Sequence, residues 1–325
     1  MNKIIAIAFI LTLLPLYTQA QELSESTPKG KPIVQVFSNY NCQFDETDIS
    51  HGFELDRSYL GYEQQLGNGL TIKGVMNIGQ PKALDDYHRV AYIKNAMVSW
   101  KHGNLTLNGG LISTTQFNFQ EKFWGYRYVM KTFQDQYKFG HSADLGISTA
   151  YKICSWLSAD AIIVNGEGYK KLQQNNGLSY GIGLTLTPLK GLQLRLYGGT
   201  DENGDLQGRP TNNLSAFAGY KAGRLSIGAE YCQLRNSGYS AGNHREGISL
   251  TAAFTLTDHA DLFLRCDEVR SSQQWDIDND ETAAMVGLQF ELGQYVKIAP
   301  NYRIAKPRNG DPLRHAAYIS CYFGF

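Results

Sequence analysis

The residues best placed to act on a ligand in this chain are charged, and they fall into two groups. The segment TTQFNFQEKFWGYRYVMKTFQDQYKFG, Thr114 to Gly140, carries Lys122, Arg127, Lys131 and Lys138 against Glu121 and Asp135. The second group is dispersed over runs of alternating polarity: Arg57, Lys73, Arg195, Arg265, Lys297 and Arg303, against Glu63, Glu230, Asp261 and Asp267. A guanidinium or ammonium held in a narrow, partly desolvated passage lowers the barrier for an anion and raises it for a cation, because bulk water screens it less there. Such groups select a passing solute by charge and make no bond to it. Each also has a plainer use, hydrating a wall and pairing with a cross-strand neighbour, and no ladder of one sign stands out.

Covalent chemistry has little to draw on. The histidines His51, His88, His102, His141, His244, His259 and His315 fall mostly in loops or at strand ends. None has the Ser and Asp spacing that strand geometry would gather into a triad. The carboxylates are scattered, and no glycine-rich phosphate loop or metal-ligand spacing is present. We therefore expect no enzyme, no metal and no cofactor. The five cysteines, Cys42, Cys154, Cys232, Cys266 and Cys321, sit singly in apolar or alternating runs and read as small hydrophobes without disulfides. With Lys+Arg 30 against Asp+Glu 30, no whole-molecule field argues for nucleic acid.

The charges of Thr114–Gly140 are embedded in aromatic residues: Phe117, Phe119, Phe123, Trp124, Tyr126, Tyr128, Phe133, Tyr137 and Phe139. That much apolar area needs a surface to cover it. The expectation is a loop that folds inward and makes a constriction from Glu121, Lys122, Trp124, Tyr126, Arg127, Lys131 and Lys138. An extracellular cap or a contact between protomers is the other placement.

The elements that would position these side chains are strands. Hydrophobic residues make up 42%, charged residues 18%, and 33 Gly and 20 Tyr contrast with 9 Pro, a composition that favours an all-β chain. In LQLRLYGG, Leu192, Leu194 and Leu196 alternate with Gln193, Arg195 and Tyr197, so one face is apolar and the other polar. The period recurs in RLSIGAEY, ISLTAAFTL and VKIAPNYRI. Tight connections at 67–69, 103–104, 188–191, 222–223, 257–258 and 292–293 alternate with long polar ones near 43–52, 81–90, 114–140, 167–177, 201–211, 236–244, 271–280 and 306–312. This gives about sixteen strands, beginning near Ile33, Phe53, Leu70, Ala91, Leu105, Ser142, Ser155, Leu178, Leu192, Asn213, Leu225, Glu246, Ala260, Ala283, Tyr295 and Leu313.

An even count of up-and-down strands, with short turns at one rim and long loops at the other, predicts a closed antiparallel transmembrane β-barrel in a bacterial outer membrane, with lipid outside. In the last strand Ala317, Ile319, Cys321, Phe323 and Phe325 share one face, placing terminal aromatics outward at the membrane rim. The start MNKIIAIAFILTLLPLYTQA reads as a secretory signal peptide cut after Ala20. Residues 21–32 are then a short periplasmic segment and 33–325 the barrel.

Three stretches carry a family resemblance: FELDRSYLGYEQQLGNGLTIKGVMNIG (53–79), YIKNAMVSWKHGNLTLNGGLISTTQFNFQEKFWGYRYVMKTFQDQYKFGHSADLGI (92–147) and IIVNGEGY (162–169). They resemble the phosphate-selective porin O and P family, particularly its Bacteroidetes-type members. The shared residues are Arg57 with Tyr59 to Tyr62; Glu121, Trp124, Gly125, Tyr126 and Arg127; Ala143 to Gly146; and Asn165, Gly166 and Gly168. The resemblance implies anion uptake through a sixteen-strand, usually homotrimeric barrel in which arginine and lysine guide phosphate. The expected function is passive diffusion of small hydrophilic solutes, with an anion preference. A plugged scaffold, or a binding or assembly protein acting through its extracellular loops, is the alternative.

Overall fold

An edge strand leaves a row of unpaired N–H and C=O groups, which lipid cannot satisfy, and the sheet of this chain has no edge. The computed structural model describes residues 29–44, 49–79, 88–202, 204 and 208–325; the expected signal peptide, 1–20, lies outside them. The strands are β1 (Gly30–Phe44), β2 (Ile49–Gly67), β3 (Leu70–Gly79), β4 (Val90–His102), β5 (Leu105–Ser113), β6 (Ala143–Lys152), β7 (Leu157–Val164) and β8 (Ser179–Leu186). They continue as β9 (Leu192–Asp201), β10 (Thr211–Ala222), β11 (Leu225–Arg235), β12 (Arg245–Thr257), β13 (Ala260–Ser271), β14 (Glu281–Leu292), β15 (Val296–Pro307) and β16 (Arg314–Gly324). Each pairs antiparallel with its chain neighbours, and β16 pairs back onto β1 to close a sixteen-strand barrel. At the seam Val34 N–H donates to Phe325 O at 3.2 Å and Phe325 N–H to Val34 O at 2.9 Å.

The alternation that made these segments strands also sorts their side chains. On one face Leu196, Leu214, Ile248, Leu250, Leu264, Val286, Ile319, Phe323 and Phe325 are exposed apolar groups, the band a barrel presents to lipid. On the other, the cross-strand row Arg265, Met285 and Arg303 runs over β13, β14 and β15, beside buried Phe263, Gln289, Asn301 and Ser320. Strand starts lie at or within a few residues of those read from the sequence; the second begins at Ile49, ahead of Phe53. The first begins at Gly30, so Gly30–Pro32, assigned above to a periplasmic segment, belongs to the barrel wall and pairs with Gln64–Tyr62. The correction has a simple cause: Gly30, Lys31 and Pro32 carry no apolar alternation, and only the partner strand reveals them.

Among the described residues the register shifts four times, at Phe37/Ser38, Gln65/Gly67, Val75/Met76 and Thr255/Thr257, and two of these shifts free a charged residue. β1 slips against β2 between Phe37 and Ser38, leaving Asp56 unmatched, and β3 slips against β4 between Val75 and Met76, leaving Lys94 unmatched. A bulge adds one residue and re-aims a side chain.

The β5–β6 connection contains two short helices, α1 (Asn118–Trp124) and α2 (Phe133–Gln136). Gly125, at φ 75°, ends α1 in the left-handed conformation that glycine adopts without a Cβ clash.

Candidate functional site

The aromatic residues of the β5–β6 connection are covered: Phe117, Phe123, Trp124, Tyr126, Tyr128, Phe133, Tyr137 and Phe139 are all buried. They pack on the non-lipid face of the strands. Phe123 meets Phe217 of β10 with ring centroids 5.0 Å apart, Tyr126 meets Phe263 of β13 at 4.7 Å, and Tyr128 meets Tyr322 of β16 at 5.8 Å. Polar tips reach the same wall. Tyr128 Oη donates to Gln289 at 2.9 Å, Tyr137 Oη to Glu281 at 3.0 Å, and Gln134 Nε2 to Glu230 at 2.5 Å.

Four strand arginines hold the connection by its main chain. Arg195 of β9 donates to Thr115 O at 2.5 Å, Arg245 of β12 to Tyr137 O at 3.0 Å, Arg265 of β13 to Lys131 O at 2.5 Å and Arg303 of β15 to Val129 O at 2.7 Å. Three are paired with a carboxylate where they stand: Arg195 with Asp160 at 2.7 Å, Arg265 with Asp267 at 2.7 Å and Arg245 with Asp276 at 3.5 Å. Of the wall residues singled out in the sequence, Arg195, Arg265 and Arg303 thus satisfy loop carbonyls. Lys73 pairs with Glu63 at 3.7 Å and Lys297 with Glu291 at 2.6 Å. Lys122 and Lys138 are exposed and form no ion pair among the described residues.

Arg57 belongs to a different grouping. Three cationic donors converge on one phenol oxygen, Tyr59 Oη: Arg57 Nη1 at 2.7 Å, Lys94 Nζ at 3.1 Å and Arg127 Nη2 at 3.2 Å. Arg127 comes from the β5–β6 connection and reaches β2; its other nitrogens meet Glu121 at 3.2 Å and Asp135 at 3.2 Å. Lys131 stands 3.8 Å from Asp135. Lys170, on the β7–β8 connection, lies over the rings of Tyr92 and Tyr169, 5.1 and 5.8 Å from their centroids. Tyr169 is fixed by Asn77, whose Nδ2 donates to its Oη at 2.5 Å. Arg57, Lys94 and Lys170 have no carboxylate within ion-pair distance among the described residues. Burial lowers the pKa of Lys131 and of Lys170 from the ordinary 10.5, as it does wherever an ammonium loses water.

The sequence pointed to Arg57, Glu121, Arg127 and Lys131, and the structure gathers them. It missed Lys94, Lys170 and the acceptor role of Tyr59. Trp124 and Tyr126 serve packing: Trp124 donates its indole N–H to Met130 O at 3.0 Å, and Tyr126 donates to Asp261 at 3.3 Å. Among the described residues no group of three or more His, Cys, Asp or Glu could hold a metal ion.

Asp135 ties this grouping together. Burial works against its ionisation, but Arg127 and then Lys131 outweigh it and hold the carboxyl below its ordinary value. A carboxylate depressed by folding stabilises the structure above its unfolded pKa, and that contribution is lost as pH falls through the lower folded value. We expect the Arg127 contact to stay tight at neutral pH and to loosen only in acid, below the ordinary carboxylate range. Single-channel records taken down a pH series should show acid-induced current noise in the wild type, and Asp135→Asn should show that noise already at pH 7.

No protein-family model and no curated protein sequence matches the chain. Solved structures do, and the porins among them match over nearly their whole length. OprB of Pseudomonas putida aligns with TM-score 0.72 at 10% identity over 91% of this chain and 94% of that one. OmpF of Salmonella typhi, in complex with daunomycin, aligns with TM-score 0.70 at 12% identity over 94% and 100%. An anion-selective porin from Comamonas acidovorans aligns with TM-score 0.66 at 11% identity over 92% and 100%. At these identities the likeness is one of fold.

Proposed function

We propose that the chain is an outer-membrane porin: a passive channel for small hydrophilic solutes, narrowed by the β5–β6 connection and preferring anions at the narrowing. The observation that carries this reading is the convergence of Arg57, Lys94 and Arg127 on Tyr59, with Lys131 and Lys170 nearby. Among the described residues, Glu121 and Asp135 are the carboxylates within ion-pair distance of those five cations. One phenol oxygen cannot meet all the N–H groups of three cationic side chains, so an anion drawn near them gains what Tyr59 cannot give. The fold likeness to porins supports the channel, and the sequence resemblance to phosphate-selective porins supports the sign of the preference and a homotrimeric assembly.

The competing reading is a blocked barrel that serves as a scaffold for a surface partner. The Arg127–Tyr59 contact favours it to this extent: it runs from the loop to the facing wall and would close the passage if nothing else stayed open. Purified protein in planar bilayers decides. We expect stepwise conductance and, in a KCl gradient, a reversal potential of anion-selective sign; no conductance above the lipid background would establish the scaffold. Liposome swelling with sugars of graded size then gives the bore.

A further inference from the structure

Two short motifs singled out in the sequence, Ala143 to Gly146 and Asn165-Gly166-Glu167-Gly168, meet in the structure. Asp144, 3% exposed on the inner face of β6, accepts three main-chain amides: Leu145 N–H at 2.7 Å through Oδ1, and Gly166 and Gly168 N–H at 2.7 and 3.1 Å through Oδ2. Amides that turn toward one point form a concavity for an anion, and here the chain fills it with its own carboxylate. The turn needs its glycines. Gly166 and Gly168 hold φ at 109° and 79°, where an L side chain is strained, and a Cβ on Gly168 would stand 2.8 Å from the His141 ring.

What leaves this turn crosses the wall. Tyr169 N–H donates to Ala143 O at 2.9 Å, beside β6, yet its phenol oxygen accepts from Asn77 of β3 at 2.5 Å and its ring meets Tyr92 of β4 at 6.4 Å. The register puts Tyr59, Asn77 and Tyr92 in one cross-strand row, so the connection lands directly beside the phenol on which Arg57, Lys94 and Arg127 converge. Lys170 follows, 5.1 Å from the centroid of Tyr92 and 5.8 Å from that of Tyr169, inside the roughly 6 Å over which a ring face attracts a cation. Its stem is long and flexible, and among the described residues it has no carboxylate partner. The backbone turn and two tyrosine rings are what keep its charge at the narrowing.

We infer that Asp144 is a positioning residue for anion selection: by holding the Gly166–Gly168 turn it sets Lys170 beside Arg57 and Lys94. The β7–β8 connection is thereby a second inward element, shaping the narrowing together with the β5–β6 connection. This role rests on the channel reading proposed above. Asp144 itself is committed to main-chain amides, and it acts on a passing ion through Lys170.

Two substitutions in the full-length protein test it from opposite sides. Asp144→Asn keeps the shape but cannot accept from all three amides, and Gly168→Ala crowds the turn against His141. We expect both variants to keep heat-modifiable migration on gels, which reports an intact barrel, and to raise hydrogen exchange of the amides in 165–171 while the strands stay protected. In a KCl gradient each should lower the anion-to-cation permeability ratio severalfold. In a Lys170→Gln background, where the ratio has already fallen by a like amount, neither should lower it further. Exchange at 165–171 that is unchanged in both variants overturns the hold on the turn, and a fall in the ratio as large with Lys170→Gln as without it overturns the action through Lys170. A wild type without anion preference overturns the function proposed above and this role with it, whereas an anion-selective wild type whose ratio ignores both variants overturns this role alone.

Discussion

Replacing Arg57 and Lys94 together by glutamate should reverse the sign of the reversal potential in a KCl gradient. In the wild type, Arg57, Lys94, Arg127, Lys131 and Lys170 outnumber Glu121 and Asp135 by three charges; the double substitution leaves one negative charge in excess. Each unit charge about 8 Å from a passing ion is worth about 2 kcal/mol at an effective dielectric constant near 20. A change of four charges is therefore expected to move the anion-to-cation permeability ratio by well over tenfold, even after substantial screening. Arg57→Gln with Lys94→Gln should bring the ratio near unity. If both double variants keep the wild-type potential, the current does not pass this grouping and the proposed constriction is wrong.

The second large effect concerns the anchor. Arg195 is 3% exposed and joins Asp160, Thr185, Thr115 O and Gln116 O. Removing one partner of a buried ion pair leaves the other charged and dry, at a cost of about 3–5 kcal/mol. Arg195→Leu should accordingly lower the temperature at which the folded band is lost on gels and should also raise and destabilise single-channel conductance, because the start of the β5–β6 connection loses its hold. Adding Asp160→Leu separates the two effects. The double variant carries no orphan charge, so the melting temperature should recover, but the carbonyls of Thr115 and Gln116 still lack their donor and the noisy conductance should persist. Recovery of both would mean that Arg195 acts only through its charge balance.

Most of the wall was legible in the sequence because lipid on one side and polar groups on the other impose a period of two on each strand. Arg195, Arg265 and Arg303 were assigned to the inner face on that basis, and the register places them in line with other inner residues. What alternation cannot give is a partner. The carbonyls these arginines satisfy are as far away in sequence as Val129 is from Arg303, and carbonyls leave no trace in residue type. Lys94 was missed for a sharper reason. In VAYIKNAMVSW it sits directly before Asn95, and a strict period would send one of the two outward; the bulge at Val75/Met76 leaves Lys94 unmatched and lets it turn to Tyr59 beside Asn95. Lys170 lies in a polar connection where nothing local distinguishes a functional cation from a solvated one. The aromatic richness of Thr114–Gly140 did signal a covered loop, though which residues would pack and which would meet charge needed the fold: Trp124 and Tyr126 packed, while Arg127 crossed to β2.

The seam between β1 and β16 governs how such a chain can come into being. Gln35 cannot find its partner until Gly324 exists, so the first strand made waits for the last, and any shorter chain carries two raw edges into a solvent unable to hydrate them. Joining ends so distant along the polypeptide costs more chain entropy than any neighbouring hairpin and belongs to the slow class of topologies. The barrel of this protein therefore closes only once β16 is available to β1.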